Sequence, residues 1–278
     1  MKPPIKPIFG WVALWCLTNT LSGCAEPDGG VSSQRPDWLP EHFPSLPATI
    51  EISSQKRELG RWLFYDVRLS ANGTRSCGTC HEQPKAFSDG LVTGLGIENS
   101  QLPLNSLSLV NVAWREELTW YRQIDSVEEH MLIPLFADNP LEMGMTEPLM
   151  LERLADSERY QEWFAEVYPT DTDPISVENT IDAISAFTLS IIDGNSRYDQ
   201  WYRGEIALSA TEQRGMALFF GDKMRCSVCH GGLFFDQPQT EPERRHGYFN
   251  TGLYHLFETG EYPMSTQGLI ASTGNSED

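Results

Sequence analysis

The sequence predicts an all-α protein built from two similar helical units. The main observation is a repeated plan, in which an apolar helix leads through a short loop into Cys-x-x-Cys-His, first over residues 58–81 and again over residues 213–230. The segments between the two motifs, over 147–168 and 174–192, also space their apolar residues as helices do. We therefore expect helices to dominate the whole body of the protein.

The helix before the first motif shows this plan most clearly. Leu59, Trp62 and Leu63 stand at i, i+3 and i+4, which places them on one helix face. Gly60 in this helix and Gly215 in its counterpart each cost helix stability. We expect each glycine to let a second helix cross closely. Ser176 stands where the N-cap of the last helix of the middle region is expected.

Residues 1–23 form a targeting segment. A positively charged start precedes a short apolar stretch, Ile8–Leu17, which is too short to span a bilayer. The segment ends in Leu21–Cys24, which resembles a bacterial lipobox cut before Cys24. The predicted protein is therefore lipidated at Cys24 and anchored to the membrane, with its body in the periplasm. The alternative is an ordinary secretory signal with an incidental cysteine.

Three further parts follow the targeting segment. Residues 24–50 contain five prolines, which favours an extended tether. Trp38 and Phe43 in this tether remain able to pack onto the body. Residues 51–205 contain the first unit with its motif, and residues 206–278 contain the second.

Four of the six cysteines form the two repeated motifs. In each, two cysteines three residues apart share one helical turn, and a histidine follows directly. This is the pattern of c-type haem attachment, with the histidine as iron ligand. Disulfides, a zinc site and a thioredoxin-like redox pair are alternatives, but none needs a histidine after each pair. We therefore predict two c-type haems and two cytochrome c-like helical units. The residues are Cys77, Cys80, His81, Cys226, Cys229 and His230.

From about Trp38 to the last residue, the sequence resembles the bacterial di-haem cytochrome c peroxidase family, which includes MauG. Within the family it is most similar to the methanobactin-operon, MbnH-like branch. The segments that show the resemblance are Leu59–Asp66, Arg68–Ser70, Ala86–Gly90, Asn105–Ala113, Ser126–Glu129, Pro140–Gly144 and, for the branch, Phe249–Tyr254.

The resemblance implies that the haem at His81 is peroxidatic, with an open position for peroxide, and that the haem at His230 transfers electrons. Glu142 matches the distal acid that moves protons during O–O cleavage. Trp120 matches a tryptophan that relays electrons between the haems. Without the resemblance, Glu142 would be interpreted as a surface residue and Trp120 as a core residue.

Two more site residues follow from the resemblance. His130 falls in the distal pocket with Pro134, at a position where the family commonly has glutamine. It could donate to bound peroxide, bind the iron, or be a plain surface histidine. Asn105 matches a position that helps to hold a calcium ion between the two domains.

The sequence departs from the family pattern in two places. Typical members have a distal histidine after the first haem, but no histidine lies between His81 and His130. The first haem should therefore be open without reductive activation. The chain also stops at Asp278, where the family continues, which predicts a truncated chain whose second haem lacks its distal ligand. Weak substitutes for that ligand are Tyr254, His255, Tyr262 and Met264.

The predicted function is reduction of hydrogen peroxide, with electrons from a small cytochrome or cupredoxin. One variant uses the oxidising equivalents on an aromatic residue, such as tryptophan, of a partner protein. The non-enzymatic alternative is a membrane-tethered electron-transfer cytochrome. The net charge of −19 argues against nucleic acid as a partner. It could steer a basic electron donor or simply keep the surface soluble.

Overall fold

A computed structural model describes residues 41, 43–46, 52–115, 118–120, 124 and 126–236. Within these ranges the secondary structure is helical, and the only β-structure consists of isolated bridges such as Glu82–Ser88. The predicted all-α class is therefore confirmed. The α-helices are α1 (Ser54–Phe64), α2 (Cys77–Cys80), α3 (Val127–Phe136), α4 (Glu147–Ala155), α5 (Glu158–Val167), α6 (Val177–Leu189), α7 (Arg197–Tyr202), α8 (Ala210–Phe220) and α9 (Cys226–Cys229).

The close crossing of α1 and α6 organises the first unit. A Cβ built on Gly60 would overlap the carbonyl oxygen of Ala183 and lie 2.5 Å from its carbonyl carbon. The two helix backbones therefore touch at this point, as the sequence predicted for Gly60. At Gly215 in α8, a built Cβ meets no described atom within 4 Å. The second close crossing stays a prediction.

The largest core lies between α1, α3, α4, α5 and α6. Leu63 and Phe64 of α1 are buried against Met150, Leu154 and Phe164 from α4 and α5. Each such side chain stabilises the fold by about 1.5–3 kcal/mol when it is fully buried. This core supports the helices on which the candidate site is built.

Serine side chains cap the N-termini of several of these helices. Ser53 accepts a hydrogen bond from the backbone nitrogen of Lys56 at the start of α1, at 3.1 Å. Ser176 accepts one from Asn179 at the start of α6, also at 3.1 Å, so the predicted cap is confirmed. Such caps satisfy backbone N–H groups that have no partner within the helix.

The loop that leads from α1 to the first motif is fixed from α4. The guanidinium of Arg153 donates to the carbonyl oxygens of Arg68, Ser70 and Ala71, at 3.0, 2.7 and 2.8 Å. These bonds hold the loop just before the turn that contains Cys77.

The described part of the tether contacts both units. Phe43 is buried, and its ring packs edge-on against Trp114 and Phe234, with centroids 5.8 and 5.3 Å away. Trp114 and Phe234 also stack on each other at 5.3 Å. Phe43 therefore packs onto the body, as the sequence analysis allowed.

Candidate functional site

A cavity of about 90 Å³ lies beside the first Cys-x-x-Cys-His turn. It is enclosed by α1, α2, α3 and α6 and by the turn around residue 142. Most of its wall is apolar, with a few polar groups that converge on it. The lining residues are Phe64, Arg75, Ser76, Cys77, Cys80, His81, Leu95, Gly96, Leu109, Val127, His130, Met131, Pro134, Leu135, Glu142, Met143, Ile184 and Thr188.

His81 is oriented by a hydrogen bond on one side of its ring. Its Nδ1 lies 2.8 Å from the carbonyl oxygen of Phe87. Because a carbonyl oxygen only accepts, Nδ1 carries the proton and Nε2 is left as the unprotonated, metal-binding nitrogen. Burial lowers the pKa of His81, which favours the neutral imidazole that an iron needs.

The two cysteines of the first motif lie on the single turn of α2. Ser76 precedes them and forms a reciprocal capping box with Thr79. Both thiols are free and line the cavity. Burial raises the pKa of Cys77 to about 12. The turn therefore presents two protonated thiols and one neutral imidazole to the same space.

Glu142 places a carboxyl group in this cavity. The backbone carbonyl oxygen of Glu142 accepts a hydrogen bond from the backbone N–H of Ile97 at 2.7 Å. The next residue, Met143, donates its backbone N–H to the carbonyl oxygen of Pro134 at 2.9 Å. These bonds fix the turn against α3. Burial raises the pKa of Glu142 above its usual range. Such a carboxyl group can both take up and return a proton.

His130 enters the cavity from α3. Burial, and to a lesser extent His81, lower the pKa of His130. Both imidazoles line the same cavity. The structure places His130 at the wall of the cavity rather than on the outer surface.

Trp120 and Asn105 lie apart from this cavity but contact each other. Trp120 Nε1 donates to the carbonyl oxygen of Asn105 at 3.1 Å. The Trp120 side chain is 46% exposed, so the interpretation of Trp120 as a core residue is wrong. Within the described ranges, no cluster of three or more His, Cys, Asp or Glu side chains could hold a metal ion. The calcium site stays a prediction.

The second motif repeats the local geometry of the first. Cys226 and Cys229 lie on the single turn of α9. His230 Nδ1 is 3.2 Å from the carbonyl oxygen of Phe235. Phe87 and Phe235, whose carbonyl oxygens accept these hydrogen bonds, both have φ of 57°, in the left-handed region. Each histidine ring is therefore oriented by a hydrogen bond to the backbone carbonyl of a phenylalanine that follows it in the chain.

The residues fit two covalently attached haems. The first motif presents two thiols and an imidazole with an unprotonated Nε2 to an apolar cavity. Arg75, at the edge of this cavity, could pair with a haem carboxylate. At the second motif, apolar side chains around the turn are exposed in the described part of the chain, which suits an apolar macrocycle. They are Leu218, Phe220 and Met224.

Sequence reasoning missed several residues that shape the site. Ile184 and Thr188 of α6 line the cavity but were assigned only to the core or not at all. Phe87 acts through its backbone carbonyl, which no side-chain pattern reveals. The one available signal for α6 was its helical spacing, since Ile184 and Thr188 are four residues apart and share a face.

Some predicted residues lie outside the described ranges. Cys24 and the four substitute ligands for the second haem belong to this group. No helix in the described part of the chain is both long and apolar enough to cross a membrane.

A family model described as di-haem cytochrome c peroxidase matches residues 54–207. The chain belongs to the di-haem cytochrome c peroxidase family. Membership implies two c-type haems, in agreement with the two attachment motifs. It also confirms the resemblance that the sequence showed.

Curated relatives of this family include both peroxidases and MauG proteins. The chain is 32% identical to the cytochrome c peroxidase Ccp of Escherichia coli, over 87% of this chain and 50% of that protein. It is 31% identical to the methylamine utilization protein MauG of Methylorubrum extorquens, over 82% of this chain and 66% of that protein. The chain thus spans about half to two-thirds of these relatives.

Solved structures agree with the family and the fold. A MauG-like protein associated with microbial copper homeostasis superposes with a TM-score of 0.78 at 38% identity, covering 87% of this chain and 72% of that chain. This similarity supports the MbnH-like branch. The di-haem peroxidase BthA of Burkholderia thailandensis, at 21% identity and a TM-score of 0.59 over 73% of this chain and 58% of that chain, shares the fold.

Proposed function

We propose that the chain is a di-haem enzyme that reduces hydrogen peroxide at the first haem. The observation that supports this most directly is the partly buried carboxyl of Glu142 in the cavity beside His81. A pure electron carrier needs no proton-transfer group there. The overall reaction is H₂O₂ + 2 H⁺ + 2 e⁻ → 2 H₂O.

Cys77, Cys80 and His81 would hold a c-type haem, whose iron would bind peroxide and supply the redox chemistry of its reduction. Glu142 takes the proton from the peroxide oxygen that binds. It then returns this proton to the departing oxygen, which leaves as water. The raised pKa of Glu142 suits both steps, since a proton must be taken up and released within one turnover.

His130 assists as a hydrogen-bond donor at the same pocket. Because burial lowers its pKa, the imidazole is neutral and offers one N–H group. We assign it to peroxide positioning. Its second possible role, as an iron ligand that closes the site, predicts a low-spin first haem instead.

Trp120 is proposed as the electron relay between the two haems. Its indole N–H donates to the carbonyl oxygen of Asn105, and its half-exposed ring is accessible for electron transfer. The haem at His230 would receive electrons from a small cytochrome or cupredoxin. Calcium near Asn105, lipidation at Cys24 and a periplasmic location complete the proposal.

A second candidate function is MauG-type oxidation of an aromatic residue in a partner protein. It is favoured by the 38% identity to a MauG-like protein associated with microbial copper homeostasis. The chemistry at Glu142 would be the same. Only the source of the electrons differs, because a partner tryptophan rather than a donor cytochrome would be oxidised.

The test is the change Glu142→Gln in the haem-containing protein. Peroxide consumption with a reduced cytochrome should fall by roughly 10²–10⁴-fold, because glutamine cannot exchange a proton. Glu152→Gln, at an exposed position on α4, is the matched control and should retain full activity. Unchanged turnover in Glu142→Gln would remove Glu142 from the reaction. Absence of peroxide turnover in the wild type would instead favour the electron-carrier alternative.

A further inference from the structure

A groove on the first unit opens beside the first attachment turn but is separate from the haem cavity. Its residues come from the end of α1 and the next residue, from the loop after His81, from Val110, and from the end of α6 and the residues that follow it; none of them lines the haem cavity. We call it the Tyr65 groove. The residues used below are Arg61, Tyr65, Phe87, Val110, Phe187 and Asp193.

Tyr65 joins this groove to the haem attachment turn. A Cβ built on Gly78, between the two cysteines, would overlap the Tyr65 ring and lie 2.5 Å from its Cε1. The phenol ring therefore packs directly on the turn that holds the haem. Tyr65 is also 41% exposed. A redox-active side chain thus touches the haem turn on one side and the groove on the other.

Phe87 provides a second connection. Its side chain lines the groove, and its carbonyl oxygen accepts the 2.8 Å hydrogen bond from His81 Nδ1. A single residue, Phe87, therefore links the wall of the groove to the iron-binding imidazole through one hydrogen bond. A molecule in the groove would be coupled to the first haem without entering the cavity that receives peroxide.

The chemistry of the groove suits a small aromatic alcohol. Phe87 and Phe187 offer ring faces and edges for aromatic packing. Asp193 is exposed at the rim and can accept a hydrogen bond from a phenolic O–H. Arg61 is already paired with Glu58 at 2.6 Å, and the chain has a net charge of −19. A neutral ligand is therefore favoured over an anion.

We propose that the Tyr65 groove binds a small neutral phenol or hydroquinone and that Tyr65 passes the electron of this donor to the oxidised first haem. The inference rests on the peroxidase function proposed above. Two donor molecules serve each peroxide: H₂O₂ + 2 ArOH → 2 H₂O + 2 ArO•. Tyr65 gives one electron to the haem and one proton to water. It then regains both from the O–H bond of the donor, which breaks.

The experiment compares two electron donors in the haem-containing protein, 4-methoxyphenol and reduced cytochrome c. In Tyr65→Phe, the ratio of phenol-supported to cytochrome-supported turnover should fall at least about tenfold, since phenylalanine cannot give up an electron under these conditions. Tyr202→Phe, at a tyrosine that is 58% exposed on α7, is the matched control and should leave the ratio unchanged. An unchanged ratio in Tyr65→Phe would overturn the proposal.

The two proposals fail in different ways. Wild-type turnover with cytochrome c but none with 4-methoxyphenol would overturn the groove alone. Turnover with neither donor would overturn the peroxidase function and the groove with it.

Binding is tested without turnover. The ferric haem should broaden the proton NMR lines of 4-methoxyphenol, and Val110→Lys, which places a long charged chain in the groove, should reduce this broadening severalfold. Equal broadening in both proteins would place the phenol elsewhere and overturn the proposal.

Discussion

Replacing Gly60 by alanine tests how tightly α1 packs on α6. The added Cβ would lie 2.5 Å from the carbonyl carbon of Ala183, whereas ordinary contacts begin at 3.4 Å. The helices must therefore separate by about 1 Å, because backbone lies on both sides of the contact and cannot rotate away. A gap of this size forfeits a quarter to a half of the dispersion energy between the facing side chains.

The magnitude follows from the side chains on this interface. Leu59, Leu63 and Ile184 are buried there, and each contributes about 1.5–3 kcal/mol through burial. The burial free energy lost from these side chains together exceeds the gain of about 1 kcal/mol that the better helix propensity of alanine provides. We expect Gly60→Ala to lower the free energy of unfolding by about 2–4 kcal/mol, within the upper range of overpacking effects.

The assay is urea unfolding of the haem-containing protein, followed by far-ultraviolet circular dichroism. Glu152→Ala, at an exposed position on α4, is the matched control. It should be neutral or stabilising by up to about 0.5 kcal/mol. If Gly60→Ala unfolded at the same urea concentration as Glu152→Ala, the close helix crossing would be refuted.

Four further predictions concern groups around the same unit. Arg153→Met removes three hydrogen bonds to backbone carbonyls and should cost about 2 kcal/mol or more in urea unfolding; no loss would show that the loop is held by other contacts. Because burial raises the pKa of Glu142, the acid limb of a kcat/KM–pH profile should lie above the value of about 4.3 for a free glutamate, and a limb at or below that value would contradict the assignment. For the same reason, Glu142→Gln should gain stability over the wild type as pH rises through this pKa, which urea unfolding at several pH values would measure. Burial raises the pKa of Asp66, but hydrogen bonds from Arg68 and Tyr160 outweigh this effect and hold the pKa below its usual range. Asp66 therefore stabilises the fold at pH values above its unfolded pKa, and this stabilisation is lost as pH falls. Tyr160→Phe, which removes the 2.7 Å bond to Asp66, should cost about 1 kcal/mol and move this acid loss to higher pH; an unchanged pH dependence would argue against the bond.

The sequence predicted the elements that depend on local pattern. The face of α1, the Ser176 cap and the close approach at Gly60 all follow from helical spacing and from the properties of serine and glycine. The two attachment turns follow from motif spacing alone. These features need no knowledge of the rest of the chain.

The parts of the site that depend on tertiary packing could not be predicted in the same way. Phe87 matters through a carbonyl group that every residue possesses, in a conformation with positive φ that few phenylalanines adopt. Ile184 and Thr188 reach the cavity only because α6 crosses α1 at one particular height. The exposure of Trp120 likewise depends on neighbours distant in sequence, and its apolar character alone suggested a buried position.

The proposal depends above all on a first haem whose iron has an open face beside Glu142. The most direct measurement is the low-temperature electron paramagnetic resonance spectrum of the ferric protein, on a sample whose mass shows two attached haems. We predict one high-spin and one low-spin signal, with the high-spin signal lost on binding a strong-field ligand such as cyanide. Two low-spin signals in the untreated protein would contradict the proposed peroxide site.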